Sequence, residues 1–396
     1  MNIVKRDIFI DIEKDLNSEE IIVLTGCRQS GKTTTFRYFF ERIESSNKLF
    51  LDLENVLNRK YFEEENYETI KAAFEFLGLD FSKKSYIFLD EIQYIRNLPS
   101  IVKYLKDHYD IKFFLTGSAS FYLKNLFSES LAGRKYIFNI YPLTFREFIV
   151  FKGHNVNGLE TPPENINKIL ESLFLEYINF GGFPAVALKE AQEEKKRKLR
   201  DIFSSYFEME VERLKDFAKL QKVRDVLLLL FSRSASLLDV SKLASEIGIS
   251  WITLKEYLDF FEKTFFFDFV KPYSSNKDVE IRKRTKCYPV DVGLAKEIGI
   301  QDTGRLFEIA IYQNIKTKAG VNYYRKKNGQ EIDFVLDKKY AIEIKSASNE
   351  KEIEALKRRI ANLQEIKDFK IITYNRQPQK IEGIEWGPHF CLRFCA

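Results

Sequence analysis

Gly26-Cys27-Arg28-Gln29-Ser30-Gly31-Lys32-Thr33 has the spacing G-x-x-x-x-G-K-[ST], and Thr34 continues the run. These residue types at this spacing bind phosphate. Glycines let the backbone wrap phosphate oxygens, and amides at a helix N-terminus turn partial positive charge toward them. Lys32 adds a point charge for β- and γ-phosphates, and Thr33 offers a hydroxyl to Mg²⁺. Further along, Ser85-Tyr86-Ile87-Phe88-Leu89-Asp90-Glu91 is an apolar run ending on two adjacent carboxylates. Asp90 is expected at a strand tip in the Mg²⁺ shell. Glu91 is expected to polarise the attacking water, which favours hydrolysis over group transfer. In Phe113-Phe114-Leu115-Thr116-Gly117-Ser118 the polar end has two readings. Either Thr116 or Ser118 touches the γ-phosphate or the water, or the backbone satisfies these hydroxyls.

A second kind of chemistry is spelled by Asp333, nine residues, then Glu343-Ile344-Lys345, a D…E-x-K spacing. Strand side chains alternate faces, so Glu343 and Lys345 share one face and Ile342 and Ile344 the other. If Asp337–Lys339 is a three-residue loop, Asp333 lies opposite Glu343. A four-residue loop would separate them. Together the carboxylates suit Mg²⁺, which activates water against a phosphodiester, and Lys345 suits the developing charge. The plainer alternative is a hairpin with solvated charges.

Elements that position these residues follow from periodicity. Ile21–Thr25, Lys48–Leu53, Tyr86–Leu89, Ile111–Thr116 and Lys135–Ile140 read as strands. Lys32–Ile43, Tyr61–Leu77 and Pro99–His108 read as helices between them. Strands separated by helices predict parallel pairing with right-handed crossovers. From Ile166 to Leu230 the spacing is helical, interrupted by Phe180-Gly181-Gly182-Phe183-Pro184. The basic run Lys195–Arg200 reads as a solvated helix face, with a phosphate-binding patch as the alternative. Leu238–Phe267 predicts a short helix, a turn at Gly248-Ile249-Ser250 and a second helix capped by Ser250. Phe265–Val270 and Lys283–Val290 are the candidate wing strands, and Arg282, Lys283, Arg284 and Lys286 are candidate DNA-phosphate contacts. A winged helix that only packs remains the alternative. Beyond Gly304, a helix at Leu306–Ile315, strands at Asn322–Arg325, Glu331–Leu336 and Tyr340–Ser346, a helix at Glu350–Ile366 and a strand at Phe369–Tyr374 make a small α/β unit.

In the order of its motifs the chain resembles the AAA+ ATPases of archaea and bacteria that carry a C-terminal winged-helix and restriction-endonuclease-like region. The matching segments are Gly26–Thr34, Tyr86–Gln93, Leu115–Ser120, Leu131–Phe148, Phe180–Val186, Cys287–Leu294 and Glu308–Ser346. The resemblance implies an α/β fold: a parallel-sheet P-loop ATPase core with an additional strand over residues 1–150, a helical lid over 151–235, a winged helix over 236–292 and a nuclease-like α/β domain over 293–396. It implies ATP and Mg²⁺ as cofactors, Ser118 near the nucleotide, the Gly182–Pro184 turn near the adenine, and Glu308 as a further metal-binding acid beside Asp333 and Glu343. It also implies that Arg134 is an arginine finger. Arg134 precedes the strand Lys135–Ile140, away from the phosphate loop, so it would serve a neighbouring copy; otherwise it pairs with a nearby carboxylate. The lid has no clear sensor arginine.

Composition sets bounds on these readings. With 396 residues, two to three domains are expected. The formal charge of +5 is too mild to argue for nucleic acid by itself. Hydrophobic content of 45% and charged content of 31% exclude wholesale disorder. Four cysteines make no disulfide framework, and no apolar stretch is long enough to span a bilayer. The expectation is a cytoplasmic protein that binds ATP and DNA, has no membrane partner and forms a homo-oligomer if Arg134 acts in trans.

Overall fold

The structure, a computed structural model, describes residues 3–117, 133–156, 158, 162–211, 217–274, 284–326, 329–361, 363–377 and 380–395. It divides into two compact units, Met1–Tyr141 with Lys263–Phe265, and Pro142–Glu262 with Phe266–Ala396.

The first unit runs α1 (Ile8–Lys14), β1 (Ile21–Thr25), α2 (Lys32–Arg42), β2 (Lys48–Asp52), α3 (Tyr67–Phe76), β3 (Ser85–Asp90), α4 (Leu98–His108), β4 (Ile111–Gly117) and β5 (Lys135–Asn139). Its sheet has the order β2-β3-β4-β1-β5, and every neighbouring pair is parallel. Each expected strand is present within a residue or so. β4 is inserted between β1 and β3, the additional strand that the resemblance implied. Every residue of β1 and β4 is buried, because a parallel sheet is covered on both faces. The two-residue period decides which face each side chain serves. Ile21, Val23, Ile87, Leu89, Phe113 and Leu115 join the core under α3 and α4. Ile22, Leu24, Phe88 and Phe114 join Phe36 and Phe39 of α2 and Phe9 and Ile12 of α1 on the other side. Phe88 and Phe114 stack at 4.1 Å between ring centres. Lys112 is the exception in β4: only 2% exposed, its Nζ donates to the carbonyls of Asp15, Ser18 and Glu20 and to Ser18 Oγ at 2.6–3.0 Å.

In the second unit, α5 (Phe145–Phe151), α6 (Glu164–Phe180), α7 (Gln192–Tyr206) and α8 (Phe217–Ser232) lead to α9 (Val240–Ile247) and α10 (Trp251–Lys263). Gly248 turns between α9 and α10 at φ 70°, and Ser250 Oγ accepts from Thr253 N at 3.0 Å, the expected cap. β6 (Phe267–Val270) and β7 (Lys286–Pro289) pair antiparallel, and α11 (Val292–Ile298) and α12 (Thr303–Ile315) follow. β8 (Val321–Arg325), β9 (Glu331–Leu336), β10 (Tyr340–Lys345), α13 (Glu350–Ile360), β11 (Asp368–Thr373), β12 (Ile384–Trp386) and α14 (Gly387–Phe394) complete the chain. The sheet order is β12-β11-β10-β9-β8, antiparallel from β8 to β10 and parallel from β10 to β12. The helix expected to reach Ile366 stops at Ile360. Leu363 and Ile366 still pack on the same core, so the apolar spacing overran the helix. The segments α11, β12 and α14 were not anticipated.

The Phe180–Pro184 turn has a packing reason within this unit. A Cβ on Gly181 would lie 1.9 Å from Asp291 Oδ1, and one on Gly182 would lie 2.3 Å from Leu143 O. Fully buried Asp291 accepts from Gly182 N at 2.7 Å and caps α11 through Leu294 N at 2.9 Å. Gln313 Nε2 also donates to Asp291, at 3.3 Å. No buried acceptor of this carboxylate lacks a donor, as a low-dielectric interior requires.

Candidate functional site

Two constellations assemble, one in each unit. In the first, the turn after β1 requires glycine: at φ 144°, a Cβ on Gly26 would sit 2.1 Å from Ile140 O. Gln29 at φ 60° and Gly31 at φ 102° complete the cradle, and Gly31 is the N-cap of α2. Ser30 Oγ donates to Cys27 O at 2.8 Å, and Arg6 Nη1 donates to Ser30 O at 3.0 Å. Lys32, 4% exposed, folds over the cradle and donates to Gly26 O and Cys27 O, each at 3.0 Å. Cys27 is buried, and Thr34 faces out.

Asp90 ends β3 at 2% exposure and accepts from the Thr116 hydroxyl and from the Thr33 side chain. Burial raises its carboxyl above the ordinary range, against the pull of those two hydroxyls. Glu91 follows at φ 55° and ψ 52°, a left-handed conformation that side chains seldom adopt. Its N–H donates to Thr116 Oγ1 at 3.1 Å, and its carboxylate accepts from Gln93 Nε2 at 2.5 Å. Thr116 thus links the two acids, its hydroxyl donating to Asp90 and accepting from the Glu91 backbone N–H. Ser118 lies outside the described residues. Arg28 is also at the loop, with a buried Nε. Arg6 and Gln93 were not anticipated; Gln93 stands beside Asp90-Glu91 in the sequence, but nothing local singles out Arg6. A glycine cradle that a Cβ would fill, with a hydroxyl and a carboxylate converging at its rim, fits a nucleotide and its divalent ion.

Arg134 precedes β5, whose first residue pairs with the first of β1, so it lies at the sheet end opposite the phosphate loop. Its guanidinium pairs with Asp107 of α4, the carboxylate alternative considered for it.

In the second unit, Asp337–Lys339 is the three-residue loop: Leu336 pairs with Tyr340 and Phe334 with Ile342. Asp337 and Lys338 have positive φ, 46° and 62°. The register therefore sets Asp333 opposite Glu343, and Asp333 Oδ2 accepts from Ile344 N at 2.8 Å. Glu343 accepts two bonds from Arg359 Nη1 of α13, at 2.9 and 3.0 Å, and meets Lys345 Nζ at 3.1 Å. Glu308 accepts from Tyr288 OH at 2.6 Å. A cleft of about 340 Å³ opens on Arg305, Glu308, Asp333, Lys345 and Tyr374.

Lys286 corrects an expectation. Read as a DNA-phosphate contact, it is buried at 3% exposure, with Nζ 3.1 Å from Glu308, 2.5 Å from Glu331 and 3.7 Å from Asp333. Arg284 pairs with Asp239, while Arg282 and Lys283 lie outside the described residues. Burial pushes Glu308 up to about 7, with Lys286 opposing and Asp333 adding. Asp333 and Glu343 are also raised, first by burial. Burial disfavours the Lys286 ammonium, but the three carboxylates outweigh it and raise its pKa. Among the described residues, no three His, Cys, Asp or Glu side chains are placed to hold a metal ion. Glu308, Asp333 and Glu343 do not fit a metal centre as arranged. Period two carried the missed signal: Lys286 and Tyr288 on β7, and Glu331 and Asp333 on β9, each share a face.

In the Lys195–Arg200 run, Lys195 is buried against Glu176, Lys196 pairs with Glu193 and Arg200 with Glu297. All four cysteines are buried, and none is in a disulfide. No helix of the described residues is long and apolar enough to cross a membrane.

Residues 18–149 match the family model of the AAA domain, a span that includes the phosphate loop, Asp90 and Glu91. Residues 171–303 and 303–387 match two domains of unknown function, DUF8612 and DUF4143. An uncharacterized protein of Methanocaldococcus jannaschii is 27% identical over 383 residues, covering 92% of this chain and 84% of its own length. An uncharacterized protein of Haemophilus influenzae is 27% identical over 388 residues, covering 93% of each. The Walker-type ATPase of Pyrococcus abyssi is similar in structure, with a TM-score of 0.48 and 15% identity over 76% of this chain and 97% of that one. The N-terminal unit thus joins a match to the AAA domain with a parallel five-stranded sheet and a glycine-rich loop after its first strand.

Proposed function

We propose that the chain hydrolyses ATP at Gly26–Thr34, Asp90 and Glu91 and uses the cycle to control DNA engagement by its second unit. The observation that carries the ATPase reading is the convergence of Thr33, Asp90, Thr116 and Glu91 at the mouth of the glycine cradle. Lys32 offsets charge on the β- and γ-phosphates. Thr33 and Asp90 would hold Mg²⁺, which when bound would neutralise phosphate charge. Glu91, fixed by its own backbone and by Gln93, takes the proton of the attacking water. Thr116 keeps both acids in place. In the second unit, residues 151–235 act as a lid, 236–292 as a winged helix and 293–396 as a nuclease-like module; the α9–Gly248–α10 turn and the β6–β7 ribbon support the winged helix. The setting is cytoplasmic, and assembly into homo-oligomers would bring Arg134 to a neighbour's nucleotide.

A second reading is a nucleotide-dependent switch that binds DNA or a protein partner and cuts nothing. Lys286 among Glu308, Glu331 and Asp333 favours it over cleavage.

One set of experiments tests both. Lys32→Ala should abolish nucleotide binding. Glu91→Gln should retain binding and lose turnover by about 10²–10⁴-fold, the usual worth of a general base. Equal loss of binding in both variants would refute these roles of Lys32 and Glu91. The protein is then incubated with linear and branched duplexes, Mg²⁺ or Mn²⁺, with and without ATP, beside Asp333→Ala. ATP-dependent binding without cleavage selects the switch, Asp333-dependent cleavage selects the nuclease, and no binding to any DNA refutes DNA engagement.

A further inference from the structure

We infer that Lys286 is the resident cation of the D…E-x-K cluster, its ammonium standing where a nuclease of this layout would keep a divalent metal. The inference rests on the switch reading and gives its physical cause.

The geometry is one of replacement. Lys286 reaches into the cluster from β7, buried at 3%, and meets carboxylates contributed by α12 and β9. Glu308 and Asp333, both open to the cleft, are thereby drawn to a side chain behind them. Glu343, the remaining acid, is turned to Arg359 and Lys345 instead. Among the described residues of these ion pairs, Glu308, Glu331, Asp333 and Glu343 meet Lys286, Arg325, Lys345 and Arg359, so charge is balanced without an added ion.

Electrostatics then decides against a metal. A divalent ion bridging Asp333 and Glu343 would lie beside a buried ammonium that has nowhere to go, and the repulsion is strong at low dielectric. A lysine tethered by the fold pays no translational entropy at each encounter, whereas a metal ion does. Tyr288, two residues on along the same strand, fixes Glu308 at the edge of the cluster. The cluster is thus closed to metal yet keeps Lys345 and Arg305 at the cleft, a surface suited to holding an anion such as a backbone phosphate without cutting it.

Mn²⁺ titration of the full chain without nucleotide, followed by electron paramagnetic resonance, tests the inference. Native protein, Asp333→Asn, Lys286→Met and the double variant are compared; any ion held near Thr33 and Asp90 is common to all four and cancels. The native protein and Asp333→Asn should bind the same number of ions. Lys286→Met, which keeps the aliphatic stem, should gain one ion, and the double variant should lose it. Loss of one ion on going from native protein to Asp333→Asn would overturn the inference. So would a folded Lys286→Met, judged by thermal unfolding, that gains none. If Lys286→Met does not fold, the comparison of native protein with Asp333→Asn decides alone. DNA is absent from the assay, so failure of the metal prediction is separate from failure to bind DNA.

Discussion

At the scale of single residues, the phosphate loop depends on one backbone conformation and two shared hydroxyl contacts. Gly26 stands at φ 144° with Ile140 O where a Cβ would go. Gly26→Ala should therefore cost about 1–3 kcal/mol through strain and close approach and abolish nucleotide binding, read by thermal unfolding and by fluorescent-nucleotide titration. Wild-type affinity in that variant would show that the cradle is not the site. Asp90 behaves differently. Its carboxyl is raised by burial, so the folded protein holds that proton more tightly than the unfolded chain does. Its contribution to stability is therefore lost as pH rises through the carboxylate range, and at neutral pH the ionised form is a burden. Asp90→Asn should raise the melting temperature of nucleotide-free protein at neutral pH and abolish Mg²⁺-dependent turnover. This separation of stability from activity is expected where strain and burial serve chemistry.

At the scale of elements, two buried polar groups hold segments that apolar packing alone would leave loose. Lys112 of β4 gathers three backbone carbonyls and a hydroxyl between α1 and β1. Lys112→Met keeps the stem but leaves those acceptors without their donor, and should cost about 1–3 kcal/mol in denaturant unfolding. Asp291 joins the Gly182 turn to α11, and burial pushes it up to about 6 from an ordinary 3.8. Because the folded value is the higher one, its contribution is most favourable below about pH 4, is lost between about pH 4 and 6, and is flat above that, a change of about 3 kcal/mol. Asp291→Asn should flatten the melting temperature over that window; an unchanged slope would assign the pH dependence to other groups.

At the scale of the whole molecule, the open matter is whether one chain suffices for turnover. Arg134 lies at the sheet end away from its own phosphate loop and pairs with Asp107 on the surface, an exposed pair worth little in stability. It is therefore free to change partners if a second copy docks. Arg134→Ala and Lys32→Ala proteins, each nearly inactive, should recover part of their ATPase activity on mixing, because one interface then joins an intact loop to an intact guanidinium. The rate effect of such a finger is about 10³–10⁵-fold. Specific activity should also rise with protein concentration. Full activity at the lowest concentration, with no recovery on mixing, would leave Arg134 as the partner of Asp107 alone.

Local spacing by itself determined the phosphate loop, the acid pair of Asp90 and Glu91, the strands of the first sheet and the face shared by Glu343 and Lys345. Each depends on residues within one strand, one turn or one helix, where backbone period dictates direction. Tertiary structure decided what depends on partners distant in the chain. It chose the order β2-β3-β4-β1-β5, and so brought Thr116 to Asp90 and Glu91. It chose the three-residue loop that sets Asp333 opposite Glu343, a choice on which one residue more or less would reverse the face. It took Gly181 for the approach of Asp291 and Gly182 for that of Leu143, which no local pattern announces. Above all it carried Lys286 out of an apparent surface run and into the carboxylates. A basic run in sequence records charge but not burial, and only the strand that pairs β7 with β6 and turns it toward α12 and β9 makes that lysine an interior cation.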